Sequence, residues 1–325
     1  MCTPAGEPDP TPHERWWIDL GDVAVVPLVE IPRLLIEPEE FFPGVVDTAA
    51  PGSAWYLEPP WYDPDRRRLV YTIQSFLILS PVGTVLVDGC VGAAKHRSRP
   101  EFHMREELWL ERLEETGVTP EQVSDVVLTH LHVDHVGWST RWVGGRWRPM
   151  FPSARHHVTG PELDYWRGDS GRAATARTGD YMSDSVEPLA EAGLLRVCAM
   201  DEVVDRHVRL VPAVGHTPGN VCVQVSGSNA RLLITGDTVH HPLQLSDPRV
   251  STRYCVDPHR AAITRRDLLG RAAETGTSVL PSHFAAPSVG RVSSVGEGFE
   301  FEPALDLLRT GPPPRSRSPR SRSEA

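Results

Sequence analysis

The stretch HLHVDH, residues 130–135, decides the fold, and it follows the apolar run VVL at 126–128 with one threonine between them. Three imidazoles and one carboxylate therefore lie within a single short loop, and these are ligand types that suit zinc and related ions. His130 and His132 are two residues apart, so in an extended segment they point to the same side. Asp134 and His135 lie beyond the bend, where they could reach a second ion.

A site for two ions needs further ligands from distant parts of the chain. Three candidates follow in order, namely His216 in GHTPG, Asp237 in GDT and His283 in PSHF. Each comes after an apolar, strand-like run, which places it where a strand opens into a loop. The alternative is a histidine-rich surface loop without a metal, because 14 of the 325 residues are histidine. The three additional candidates disfavour that alternative.

The composition is that of a globular protein long enough to bury a full core, as one large domain or two small ones. Hydrophobic residues make up 40% and charged residues 23%, and the net charge is −10, which argues against binding to nucleic acid or anionic membranes. No apolar run approaches the roughly 18–20 residues of a membrane span. Five scattered cysteines and a start without a basic and apolar signal predict free thiols in the cytoplasm.

The chain divides into three parts by composition. Residues 1–20 are predicted to be a flexible arm, and residues 304–325 a disordered tail rich in proline, arginine and serine. Residues 21–303 are predicted to form the single folded domain that carries all the candidate ligands. Strands and helices alternate within the middle part, which indicates the α/β class. The tryptophan-rich stretch 136–153 and the small, polar stretch 168–184 are predicted to be loops.

Local patterns predict several individual elements. Residues 69–79 and 84–87 form a predicted hairpin across SPVG. Helical spacing is found at 101–116 and again at 258–273, where Asp257 is the expected N-cap.

Other residues have two interpretations each. The loop aromatics either form a pocket wall or lid, or pack as a satellite hydrophobic cluster; they are Trp55, Tyr56, Trp61 and Tyr62. Asp88, after the hairpin, is expected to accept a hydrogen bond from a ligand histidine, with a simple turn as the alternative. Three further histidines are interpreted as structural, namely His156, His157 and His241.

The order H-x-H-x-D-H, then His216, Asp237 and His283, resembles the metallo-β-lactamase superfamily over residues 20–303. That resemblance implies a four-layer αββα sandwich. The stretch GDTVH at 236–240, Asp247-Pro248 and GEGFEF at 296–301 look like the methyl parathion hydrolase branch, close to the N-acyl homoserine lactone lactonases. Those lactonases have a catalytic tyrosine near the metals, and here His240 stands after the bridging aspartate instead.

The resemblance also implies a mechanism. His130, His132 and His216 would hold one ion, Asp134, His135 and His283 the other, and Asp237 would bridge them. Two zinc ions, with manganese, cobalt or iron as alternatives, would share a hydroxide that attacks an ester-like bond. Asp134 or Asp237 would receive its proton, and His240 would contact the substrate or pack behind the site.

The implied substrate is a small uncharged or hydrophobic lactone, carboxylic ester or organophosphate triester, and the family hints at a homodimer. Neither nucleic acid nor membrane is an expected partner. Two other functions remain open at this point. One is a mononuclear iron enzyme resembling the persulfide dioxygenases, and the other is a catalytically idle binding or accessory member, which the complete ligand set disfavours.

Overall fold

A computed structural model of the chain describes residues 16–44, 55–106 and 108–314. Most of the predicted arm and most of the predicted tail, 1–15 and 315–325, lie outside the described residues. Within the described ranges, no helix is both long and apolar enough to cross a bilayer. The four cysteines found there are all free thiols.

The strands of the described residues are, in chain order, β1 (Trp16–Asp19), β2 (Ala24–Ile36), β3 (Tyr62–Asp63), β4 (Arg68–Leu79), β5 (Thr84–Val87), β6 (Asp125–Val127), β7 (Thr140–Val143), β8 (Arg146–Pro149), β9 (Arg155–Thr159), β10 (Leu195–Cys198), β11 (Val208–Pro212), β12 (Val221–Ser226), β13 (Arg231–Ile234), β14 (Ser278–Leu280), β15 (Gly290–Val295), β16 (Gly298–Pro303) and β17 (Leu308–Thr310).

The α-helices are α1 (Pro38–Phe41), α2 (Leu108–Glu115), α3 (Val133–Val136), α4 (Gly160–Arg167), α5 (Asp169–Thr175), α6 (Glu187–Glu191), α7 (Leu243–Ser246) and α8 (Pro258–Thr275). Short 3₁₀ turns are found at Trp55–Leu57, Pro100–Phe102, Pro120–Gln122, Gly137–Ser139, Gly236–Thr238 and Leu305–Leu307, and Met182–Val186 is a π-helical turn.

Two mixed sheets face each other across a shared apolar core. The first has the order β10-β9-β6-β5-β4-β2-β1-β17, with β3 also paired to β4, and the second has the order β11-β12-β13-β14-β15-β16. Alternate residues of the first sheet, such as Val25 and Phe76, pack in one cluster with Val223 and Ile234 of the second. Because side chains alternate between the two faces of a strand, the opposite residues face outward, towards the helices.

Helices cover both outer faces. Trp109 and Leu113 of α2 belong to the cluster on the outer side of the first sheet. Leu269 of α8 packs with Val279 of β14 on the outer side of the second sheet. Full burial of such a side chain contributes about 1.5–3 kcal/mol. The order helix, sheet, sheet, helix is the predicted αββα sandwich, and the predicted fold class is confirmed.

The longest helix, α8, follows the predicted start signal closely. The carboxylate of Asp257 accepts a hydrogen bond from the backbone N–H of Arg260 at 2.9 Å, and Pro258 occupies the first turn, where no N–H is needed. Gly276 ends the helix with a positive φ of 65°, which glycine adopts without strain. The helix therefore runs two residues beyond the predicted end at 273.

The first sheet extends beyond the predicted domain 21–303 on both sides. Trp16 of β1 lies opposite Thr310 of β17, so both termini of the described chain add strands to the first sheet. The helix expected from 101 begins only at Leu108, after a 3₁₀ turn.

Two stretches predicted as loops contain regular structure. Residues 140–149 form the hairpin β7–β8, with Trp142 opposite Trp147 and both turn glycines at positive φ, as a two-residue hairpin turn requires. Residues 169–175 form α5, and the following π-helical turn carries Asp184, whose charge is paired with Arg97. Interstrand pairing and ion pairing therefore order stretches whose composition is typical of loops.

A candidate metal centre

The predicted ligands come from loops at the carboxyl ends of four strands. The loop 130–135 follows β6 of the first sheet, whereas His216, Asp237 and His283 follow β11, β13 and β14 of the second. The two sheets face each other, so these strand ends meet at one edge of the sandwich. The structure brings all seven predicted ligands together there, in two neighbouring groups.

The first group joins three imidazoles and a carboxylate. The Nδ1 atom of His132 lies 2.9 Å from Nε2 of His130 and 2.9 Å from Nε2 of His216. Nε2 of His216 lies 3.1 Å from Oδ2 of Asp237. A neutral imidazole carries only one N–H, so one nitrogen shared by two others cannot satisfy both with hydrogen bonds. A cation bound between these nitrogen and oxygen atoms would accept a lone pair from each of them.

The second group consists of Asp134, His135 and His283, which offer their ligand atoms within 4.8 Å of one another. Oδ1 of Asp237 lies 3.1 Å from Nε2 of His135 and 2.7 Å from Nε2 of His283. Asp237 thus directs one oxygen to each group. Nε2 of His135 is buried and, although it lies 3.1 Å from Oδ1 of Asp237, it does not have the geometry of a hydrogen bond within the described residues, which a bound ion would explain. The residues present therefore fit a pair of cations bridged by Asp237.

The outer nitrogens of the histidines are held in place by hydrogen bonds. Nδ1 of His135 lies 2.8 Å from Oδ2 of Asp88, as predicted, and the other carboxylate oxygen of Asp88 accepts the backbone N–H of Thr129. Nδ1 of His283 donates to the carbonyl of Thr72 at 2.8 Å. Bonding at Nδ1 leaves the Nε2 lone pair directed into the site, which is how proteins orient metal-binding histidines.

The charge state of the site also suits a cation. Burial lowers the pKa of His130 and His132 well below the ordinary histidine value, so both are neutral imidazoles. Burial raises the pKa of Asp237, but the surrounding histidines outweigh that effect and hold it well below the usual range. Burial also lowers the pKa of His135 and His216, but Asp237 outweighs it, so the pKa of His135 lies well above the ordinary histidine value and that of His216 is about 9. His130, His132 and Asp237 are therefore in their metal-binding protonation states, whereas His135 and His216 would each release a proton to an incoming cation.

His240 faces the same site without belonging to either group. Its Nε2 lies 3.1 Å from Oδ2 of Asp237, and its ring is stacked on that of His283 with the centroids 5.7 Å apart. The histidines interpreted as structural lie elsewhere. His241 is bonded through Nε2 to the carbonyl of Trp61, and Nε2 of His157 lies 2.8 Å from Asp125.

A cavity of about 710 Å³ opens onto the two groups. Its described lining is rich in aromatic side chains, namely Phe41, Tyr71, Phe102, Tyr165, Trp166, Tyr181 and Tyr254. The loop aromatics at 55–62 are absent from this lining. Trp55 and Trp61 instead pack edge to face with each other, and Trp61 packs against Phe301. The pocket-wall interpretation of that loop is therefore wrong, and the satellite-cluster interpretation is correct.

Two residues at the centre were missed by the sequence reasoning. Tyr71 is stacked on the ring of His283 at 4.0 Å and lines the cavity, yet it lies in the middle of an apolar strand pattern. Glu162 is buried and bonded to two ligand loops. Nothing in the local sequence distinguishes this glutamate from the acidic residues that commonly open a helix.

Residues 70–283, more than half of the chain, match the family model of the metallo-beta-lactamase superfamily. This chain belongs to that superfamily. Among curated relatives of this superfamily member are probable metallo-hydrolases of Mycobacterium tuberculosis and Mycobacterium bovis, each 29% identical over 189 residues. The match covers 51% of this chain and 56% of each relative, so the chain spans about half the length of the curated relatives it matches.

Solved structures share the fold of this superfamily member over most of its length. A hydrolase of the beta-lactamase superfamily, AbOPH, has a TM-score of 0.71 at 23% identity and covers 89% of this chain and 97% of its own. AidC, a dizinc quorum-quenching lactonase in complex with a product, has a TM-score of 0.71 at 21% identity, covering 88% and 96%. At these identities the likeness establishes the fold.

Proposed function

We propose that this protein is a metal-dependent hydrolase that uses two ions, zinc in the first instance, to cleave an ester-like bond. The observation that carries the proposal is the carboxylate of Asp237, which directs one oxygen to each of two ligand groups. The names of similar proteins support it, since they include probable metallo-hydrolases and a dizinc lactonase.

The roles of the residues follow from their positions. Bound divalent ions supply Lewis acidity and lower the pKa of coordinated water from 15.7 towards about 7. Asp237 keeps the two ligand groups close, and its negative charge would offset the repulsion between the two cations. Asp134 and Asp237 are the carboxylates able to accept a proton at the site. His240, within 3.1 Å of Asp237, is placed to donate a hydrogen bond to the substrate or the leaving group.

The substrate class is inferred from the cavity walls. Seven aromatic side chains line the cavity, and the guanidinium groups of Arg99 and Arg253 lie beside the carboxylates of Glu101 and Glu40, while Arg177 also lines it. The aromatic rings favour a small uncharged or hydrophobic lactone, carboxylic ester or organophosphate triester. Neither nucleic acid nor membrane enters this proposal, and a homodimer in the cytoplasm is the assembly we would test first.

A hydrolysis panel on metal-assayed protein tests the proposal. It should contain acyl homoserine lactones, aryl esters, methyl parathion and acyl thioesters, each with and without chelator. We expect turnover of at least one neutral ester that a chelator abolishes and zinc restores. Turnover that persists without metal would contradict the mechanism, and iron content with oxygen consumption would favour the persulfide dioxygenase alternative.

The variant Asp237→Ala tests the bridge directly. Removing the shared carboxylate leaves two ligand groups without their common donor, so we expect loss of one ion and a fall in kcat of about 100-fold or more. Zinc content by mass spectrometry and kcat on the best panel substrate are the two measurements. Wild-type turnover in this variant would show that Asp237 does not bridge.

A further inference from the structure

Glu162 is a fully buried carboxylate that belongs to neither ligand group. It lies in the first turn of α4 and accepts four hydrogen bonds. Oε1 accepts from the backbone N–H of Leu131 at 2.9 Å and from the indole N–H of Trp166 at 2.6 Å. Oε2 accepts from the hydroxyl of Thr217 at 2.6 Å and from the backbone N–H of Gly219 at 3.0 Å.

Three of these four donors belong to the loops that carry the first ligand group. Leu131 stands between His130 and His132, and Thr217 follows His216 directly. One carboxylate therefore joins the two loops that supply all three histidines. Trp166 extends the link, because its ring packs edge to face against His132 with centroids 5.2 Å apart.

The loop after His216 lies so close to α4 that only glycine fits at position 219. A Cβ atom on Gly219 would lie 2.3 Å from the backbone nitrogen of Glu162 and 2.4 Å from Oγ1 of Thr159. The hydroxyl of Thr159 also donates to the carbonyl of Gly219 at 2.8 Å. Close packing and hydrogen bonds thus hold this loop in a single place relative to Glu162.

We propose that Glu162 is a positioning residue that sets the affinity and geometry of the three-histidine group for its ion. Asp88 orients His135 of the second group and also accepts hydrogen bonds from Thr129, next to His130. The inference rests on the proposed two-ion centre and deepens it, because it assigns the three-histidine group a supporting carboxylate outside the ligand set. Partners that orient metal ligands in this way typically change metal affinity by about 10–100-fold when they are altered.

Glutamine at position 162 cannot reproduce the four bonds. In one orientation, its amide nitrogen would face the N–H groups of Leu131 and Trp166, which can only donate. In the other orientation, the amide nitrogen would face Thr217 and Gly219, and the N–H group of Gly219 would lose its acceptor. One of the two loops is then released from α4. A buried donor without an acceptor is unfavourable by about 1–3 kcal/mol, so the loop relaxes away from its position.

Glu30 provides a matched control. It is also a buried glutamate, and it accepts the indole N–H of Trp138 at 2.8 Å and the backbone N–H groups of Val91 and Gly92. None of these donors lies in a ligand loop. E30Q therefore introduces a similar buried mismatch away from the three histidines.

The experiment measures both zinc dissociation constants by chelator competition in wild type, E162Q and E30Q, with thermal unfolding to verify the fold. We expect E162Q to raise the dissociation constant of one zinc ion by about 10–100-fold and to leave that of the other within about threefold. We expect E30Q to change neither dissociation constant. The cobalt absorption spectrum of the weakened site should change, and saturating zinc should recover kcat in E162Q.

Thr217→Val is the second variant, and it removes a single donor while keeping the side-chain shape. Thr217→Val should raise the dissociation constant of the same ion several-fold, and it should remain folded even if E162Q does not. Unchanged zinc affinity in both variants, or equal weakening in E30Q, overturns the proposal. A wild-type protein that binds no zinc would instead refute the proposed function, so the two failures are distinguishable.

Discussion

His240 has two interpretations, namely a hydrogen bond to the substrate or leaving group, and packing behind the metal site. Its Nε2 faces Asp237 at 3.1 Å and its ring lines the cavity, but it belongs to neither ligand group. If it donates to the substrate or leaving group, His240→Gln should lower kcat about 100-fold. Both ions should remain bound, because all seven proposed ligands are intact. Kinetics and metal analysis on the same sample would test this, and an unchanged kcat would assign His240 to packing.

At the residue scale, the sequence was informative where a pattern was dense and its residue types were unusual. Four potential ligands within six residues cannot be explained by core or surface composition alone. Tyr71 and Glu162 were unpredictable for a physical reason. Their importance depends on partners distant in sequence, such as His283 for Tyr71 and Thr217 for Glu162. A tyrosine in a strand and a glutamate at a helix start look ordinary until the chain is folded.

Among the elements, the π-helical turn Met182–Val186 contacts the buried side chain of Lys95. The ammonium of Lys95 has no solvent exposure and lies 2.8 Å from Oγ1 of Thr140 and 3.3 Å from Oδ1 of Asp184. Burial lowers the pKa of Lys95 from 10.5 to about 7, although Asp184 partly opposes the shift. Between these two pH values the unfolded chain binds more protons than the folded one at this residue. Stability contributed by Lys95 should therefore rise with pH above about 7.

Lys95→Met should remove that dependence. We expect the difference in melting temperature between the variant and wild type to be largest near pH 6.5, in favour of the variant, and to shrink towards pH 9. Calorimetry at several pH values measures it. Arg97 still pairs with Asp184 in the variant, so the turn retains a charged partner. A difference that is flat with pH would show that Lys95 keeps an ordinary pKa.

Elements with strong local signals were predicted well, and those made by distant pairing were not. The hairpin at 69–79 and 84–87 and the capped helix α8 have their turn and cap residues in the sequence itself. By contrast, β1 and β17 are strands because they pair with each other across the whole chain. The aromatics at 55–62 could pack in two ways, and distant partners such as Phe301, which contacts Trp61, decide between them. Local periodicity carries no information about such partners.

At the scale of the whole molecule, the candidate centre lies across the division between the two sheets. The loop 130–135 follows β6 of the first sheet, and the other three candidate ligands follow strands of the second sheet. The apolar cluster between the sheets and the clusters under the helices are formed by other residues. Metal binding should therefore add to a fold that the hydrophobic cores already stabilise.

Removal of the ions should lower stability without unfolding the protein. An ion that binds only the folded state stabilises it by about 2.7 kcal/mol when its concentration is 100 times its dissociation constant. For two ions we expect chelation to lower the melting temperature by about 10 °C, and added zinc should restore it. Circular dichroism of the chelated protein at 25 °C should remain that of a folded α/β domain. Complete unfolding on chelation would mean that the sheets need the ions to stay together, contrary to the continuous core between them.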